Sequence, residues 1–142
     1  MNIHEYQIRA NQLSTYQRDP LPLAAETPKL RLSLAAMGLC GEIWELEEAL
    51  DRTPRVEADV EEEAGDVWWY VAELAAAQGL DLSEGFTPVT ALVYELKHVR
   101  RDIARIMERV KKHIHHNKPL RDDMQDMTIG LRNRYYAYCF TN

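Results

Sequence analysis

Apolar residues recur at spacings of three and four along most of the chain, the period of a helix with one buried face. Ile3, Tyr6, Ala10, Leu13 and Tyr16 predict a first helix over 3–17. Asp19-Pro20 ends it, and Pro20 and Pro22 keep the next stretch extended as far as Thr27-Pro28. Leu32, Leu39, Ile43, Leu46 and Leu50 mark a second helix over 28–50. Val60, Ala64, Val67, Val71 and Leu74 mark a third over about 56–78, with Gly79 as its stop. Val89, Leu92, Leu96, Val99, Ile103, Ile106 and Val110 run through a fourth, 88–116, in the alternation of a two-helix seam. A fifth, about 119–139, carries Met124, Met127, Leu131, Tyr135 and Tyr138 on one face.

Thr27-Pro28, Thr53-Pro54 and Thr87-Pro88 read as helix starts, with Thr as N-cap and Pro at the first helical position. Val67-Trp68-Trp69-Tyr70-Val71 has the composition of a strand. Its flanks, Glu-Glu-Glu-Ala and Ala-Glu-Leu-Ala-Ala-Ala, are strong helix formers, and no partner strand is visible, so the helix is kept. The expected fold is an all-α bundle of about five helices in a single domain. The antiparallel hairpin 30–80 is its centre, and 88–139 forms a second hairpin.

The polar positions change the picture inside that first hairpin. Glu42 and Glu45 edge one apolar stripe, and Glu63 and Asp66 edge the other. A spacing of three puts each pair on one helix face, about 5–6 Å apart at Cβ. Packing the stripes together gathers four like charges, which repel and lose hydration unless cations are bound between them. All-oxygen ligands suit Mg²⁺ or Mn²⁺, and no interleaved His points to zinc or di-iron. The bland alternative is a solvated acidic face, which helices of acidic proteins often carry.

The chain has 142 residues and a net charge of −6, which disfavours nucleic acid and anionic membranes as non-specific partners. Cys40 and Cys139 have no metal-type spacing and fit a reduced, cytoplasmic protein. No apolar run reaches the length of a membrane span. His113, His115 and His116 do not converge on one point and read as a solvated helix end.

Gly41-Glu42-x-x-Glu45, then Glu63-x-Gly65-Asp66-Val67-Trp68-Trp69-Tyr70, then Gly79-Leu80-Asp81-Leu82 resemble the MazG-like nucleotide pyrophosphohydrolases of the all-α NTP pyrophosphatase superfamily. Tyr6-Gln7-x-x-Ala10 is similar to the family's opening pattern, so the resemblance covers roughly residues 3–84. It implies Mg²⁺-dependent hydrolysis of nucleoside triphosphates to monophosphates and pyrophosphate. Glu42, Glu45, Glu63 and Asp66 would be the metal ligands, with Glu45 the choice for orienting the attacking water. The family often places an Asn and a Lys in the following helix to hold phosphates; this chain has apolar residues near Val89 and Leu92 instead. Arg101, Arg105, Lys111 and Lys112 are the substitutes, supplied in cis or across a homodimer or homotetramer that the helix 4 seam favours.

The second hairpin has two readings. Lys111 to Leu120 resembles the connector between the acidic helices of MazG-like chains, which makes 88–139 a worn repeat. Asp102 then matches Glu42, while Arg105, Thr128 and Leu131 replace Glu45, Glu63 and Asp66. Self-similarity between two amphipathic hairpins also arises without ancestry. The aromatics divide likewise: Trp44, Trp68, Trp69 and Tyr70 serve either base stacking or the core, and Tyr6, Gln7 and Asn11 sit where they can read a base edge. Against the hydrolase stand a metal–nucleotide binder without turnover and a purely structural helical interaction module.

Overall fold

A computed structural model describes residues 2–13, 28–83, 95–120 and 123–141. Among these the chain is entirely helical: α1 (Ile3–Leu13), α2 (Pro28–Asp51), α3 (Glu57–Ala77), α4 (Leu96–His115) and α5 (Asp123–Thr141). The strand-like run Val67–Val71 lies inside α3. Residues 14–17 of the first predicted helix and 88–94 of the fourth, with Val89, Leu92 and Thr87-Pro88, lie outside the described residues.

The predicted start signals hold unevenly. Pro28 does open α2. Thr53-Pro54 does not open α3, whose N-cap is Val56, with no side-chain bond to the first turn. Pro119 likewise precedes α5 without beginning it, because the helix starts at Asp123. Other caps come from residues the periodicity did not flag. Asn2 and Glu5 exchange hydrogen bonds at the head of α1. Glu95 and His98 form a reciprocal capping box on α4. Gly79 stops α3 as expected: at φ +68 its N–H reaches Ala76 O at 3.1 Å, and Leu80 N–H reaches Ala75 O at 2.9 Å. That is the double closure a left-handed residue permits, and glycine adopts it without a Cβ clash.

Four helices close into a ring. α2 packs on α3 and α4, and α5 packs on α3 and α4. Every adjacent pair runs antiparallel, as the cross-links show. Arg52 meets Asp59 and Arg31 meets Glu73 between α2 and α3. Arg100 meets Glu47, and Lys29 meets Asn117, between α4 and α2. Tyr135 Oη donates to Ala64 O, and Gln78 Nε2 donates to Thr128 Oγ1, between α5 and α3. The α2–α3 and α4–α5 grooves therefore lie on opposite sides of the bundle.

The apolar stripes meet inside the ring. Leu32, Leu39, Ile43 and Leu46 face Val67, Val71 and Leu74, and all are buried. The α4 seam, Val99, Ile103, Ile106 and Val110, is buried in the same core. These four residues of the predicted seam are therefore covered within the chain. α5 adds Met124, Leu131 and Tyr135, with Met127 and Tyr138 half-buried. Gly38 brings α2 close to α3: a Cβ there would stand 2.0 Å from Tyr70 Cε1, so the ring lies on bare helix backbone.

α1 sits outside the ring, on α3. Gln7 clips it there. Its Nε2 donates to Leu80 O and its Oε1 accepts from Leu82 N–H, both at 2.8 Å and buried. Arg132, fully buried on α5, donates to the Leu82 carbonyl. His4 Nδ1 adds a 3.0 Å pair with Asp81.

Candidate metal centre

Glu42 and Glu45 reach out of α2 and Glu63 out of α3, all toward the groove between the two helices. One carboxylate oxygen of each lies within 4.8 Å of the others. The local cause is plain from the sequence. Each acid stands one position off the buried stripe, so it is held at the rim of an antiparallel helix pair instead of in bulk water. Three of the four predicted ligands converge. Asp66 is exposed at the edge of the group, yet close enough to act on it electrostatically.

The electrostatics are those of an uncompensated acidic cleft. Burial first, then the charges of Asp66, Glu45 and Glu63, push the Glu42 carboxyl up to about 7. Burial first, then Glu45, Asp66 and Glu62, raise Glu63, and a Glu45–Glu63 carboxyl contact adds to the shift. Two carboxyls attract at that range only with a proton or a cation between them. Glu42 Oε2 and Glu63 Oε2 are both buried with no hydrogen-bond partner. Buried oxygens in that state cost free energy unless a cation or donor reaches them. The donor set and its unspent oxygens fit a hard divalent cation.

The surroundings leave room for a ligand. Gly41 precedes Glu42 and Gly65 precedes Asp66, and a Cβ at either would meet nothing within 4 Å. Tyr6 brings α1 into the same field: burial and then the Asp66 charge hold its phenol well above the usual range.

The predicted substrate contacts are scattered. Trp44, beside Glu45, is 56% exposed and edges a shallow depression with Glu48 and Asp51. Trp69 is half-buried, edge-on to Tyr70 at 4.9 Å. Trp68 belongs to the core, 4.9 Å from the Tyr135 ring. Both ends of the Gln7 amide bond backbone, one N–H to Leu80 O and one oxygen lone pair to Leu82 N–H, so the buried side chain holds α1 in place. Asn11 lies on α1, but its side chain lies outside the described residues. Arg105 and Lys112 line a groove between α4 and α5, across the bundle from the acids. Lys111 pairs with Glu108 at 2.6 Å on α4. Within one chain these cations do not meet the carboxylates.

At the matched positions of the second hairpin, Asp102 is buried and paired with Arg134 at 2.9 Å, and Arg105 is exposed. Thr128 and Leu131 are fully buried, with the Thr128 hydroxyl donating to Met124 O. They face the core where Glu63 and Asp66 face the rim. Sequence reasoning did not find the fully buried Glu73, which Arg31 approaches to 3.8 Å, or Arg132. Charged residues at core-facing positions of a helix are the signal for both.

Comparison with protein-family models, with curated proteins and with solved structures found no match in any of the three. Among the described residues, no helix is long and apolar enough to cross a membrane.

Proposed function

We propose that this protein is a Mg²⁺- or Mn²⁺-dependent hydrolase of nucleoside triphosphates, releasing pyrophosphate and a nucleoside monophosphate. The observation that carries the reading is the convergence of Glu42, Glu45 and Glu63 oxygens within 4.8 Å, two of them with buried, unspent lone pairs. The choice of a phosphoanhydride substrate comes from the resemblance of the same stretch to MazG-like enzymes.

Glu42 and Glu63 would hold the cation from opposite helices. Glu45, the more exposed, completes the group and orients the attacking water. Asp66 extends the negative rim and is the fourth ligand in this reading. The bound ion supplies neutralisation of the phosphate oxygens and a more acidic water. Tyr6 closes the α1 side of the cleft. Trp44 and Trp69 are the faces on which a nucleobase would stack. The hairpin is then the MazG-like catalytic unit, and α4–α5 its non-catalytic buttress.

The test is pyrophosphate release with Mg²⁺ across the common NTPs and dNTPs, using wild type, Glu42→Gln and Asp66→Asn. Turnover on at least one nucleotide, lost in both variants with the fold retained, is expected. No turnover on any nucleotide, together with no Mg²⁺-dependent rise in Tm, would overturn the reading. A binder without turnover is favoured by one observation: Arg105, Lys111 and Lys112 lie away from the acids. It predicts the rise in Tm without pyrophosphate release.

A further inference from the structure

The charge of this chain is divided between its two hairpins. Residues 28–83 hold thirteen Asp and Glu against four Lys and Arg, whereas residues 95–141 hold six against eleven. The cationic half is not only a solvated helix face. It forms one wall of a groove of about 1010 Å³ between α4 and α5.

Three arginines converge at this groove, Arg105 and Arg109 one turn apart on α4 and Arg134 on α5. Arg134 Nε stands 2.9 Å from Asp102 Oδ2, but that oxygen accepts no aligned hydrogen bond. Arg109 Nη2 stands 2.8 Å from Asp123 Oδ2. Asp102 thus steadies Arg134 by charge without an aligned hydrogen bond, and Asp123 holds Arg109 through one of its nitrogens. Arg105 has no ion-pair or hydrogen-bond partner among the described residues, and its charge acts on Asp102 next after that of Arg134. Two cations therefore share one buried carboxylate at this end of the groove. Position 130 in the groove lining is glycine, and the Arg134 Nη1 lies 3.5 Å from where a Cβ would be, an ordinary contact distance.

We propose that the α4–α5 groove is a second ligand site, separate from the acidic cleft, which takes the phosphate group of a phosphate-bearing small molecule between Arg105, Arg109 and Arg134. Planar guanidinium forks match phosphate oxygens in bidentate pairs, and fixed ones lose little freedom on binding. The site needs no metal ion, so it stands or falls independently of the hydrolase reading.

The test uses the full chain in EDTA, which removes divalent ions from the acidic cleft. Inorganic pyrophosphate and, separately, a nucleoside monophosphate are titrated by calorimetry and by Tm, against NaCl at matched ionic strength. Wild type is expected to bind at least one of the two saturably, with the stronger probe telling a bare phosphate ligand from a nucleotide. Arg105→Glu, at an exposed position that leaves the core intact, should weaken binding about tenfold or more, the worth of a lost charge-assisted bond. Lys97→Glu changes the net charge equally but lies outside the groove lining, and should stay within about twofold. Absence of saturable binding for both probes, an equal response to NaCl, or equal losses in Arg105→Glu and Lys97→Glu would each overturn the proposal.

Discussion

Glu42→Gln is expected to stabilise the metal-free protein at pH 8. The Glu42 carboxyl moves from an ordinary value of 4.5 to about 7 in the folded chain, by burial and then by Asp66, Glu45 and Glu63. The folded state thus holds this proton more tightly than the unfolded state. Its contribution to stability is complete below pH 4.5 and is lost as pH rises through 7. The full shift corresponds to a few kcal/mol at about 1.4 kcal/mol per pH unit; because Glu42 stands at a rim that water partly screens, about 1–3 kcal/mol is the working range. Glutamine mimics the protonated form and escapes the loss. Thermal melts in EDTA should therefore place Glu42→Gln about 3–10 °C above wild type at pH 8, with the gap narrowing at pH 5. Mg²⁺ should raise the wild-type Tm at pH 8 and leave the variant nearly unmoved. A variant that melts at or below wild type at pH 8 in EDTA would show that Glu42 is not held among like charges, and the reasoning for a cation between the helices would fail with it.

Other substitutions probe the frame around the cleft. Gly38→Ala should destabilise by about 1–3 kcal/mol in urea titrations, despite alanine's better helix propensity, because the new methyl meets the Tyr70 ring. Gly65→Ala meets nothing within 4 Å and should stabilise by up to about 1 kcal/mol, while lowering turnover if the substrate uses that space. Gln7→Ala removes both bonds of the α1 clip and leaves Leu80 O and Leu82 N–H unsatisfied; a loss of about 2–3 kcal/mol and faster hydrogen exchange at Leu82 are expected. Tyr135→Phe, which deletes only the hydroxyl bonded to Ala64 O, should cost about 1 kcal/mol in the same titration.

The helices themselves were legible from the residues. An alternation of three and four is a local, one-dimensional property, so α2, α3 and most of the core could be read from Leu32, Leu39, Val67 or Ile103 without any neighbour in view. The pairing of Glu42-x-x-Glu45 with Glu63 was legible for the same reason: helix periodicity fixes which face an acid shares with its stripe. Helix ends were less so. Thr53-Pro54 has the chemistry of a start, but Pro54 stays in the connector and Val56 takes the cap with no side-chain bond to the first turn.

What only the tertiary structure decided is which faces meet. Arg105 and Lys112 have the right charge for a phosphate clamp, yet the closed ring turns them to the side opposite the carboxylates. Gln7 has the donors and acceptor of a base reader, yet the structure buries it and bonds both ends of its amide to the Leu80–Leu82 backbone. The seam on α4 looks like an offer to a second chain, yet its Val99, Ile103, Ile106 and Val110 are covered in the chain's own core. Periodicity specifies what a helix can bury and what charge it carries. The direction in which that charge points depends on the order of helices around the core, which is a property of the whole packed bundle and of no single segment.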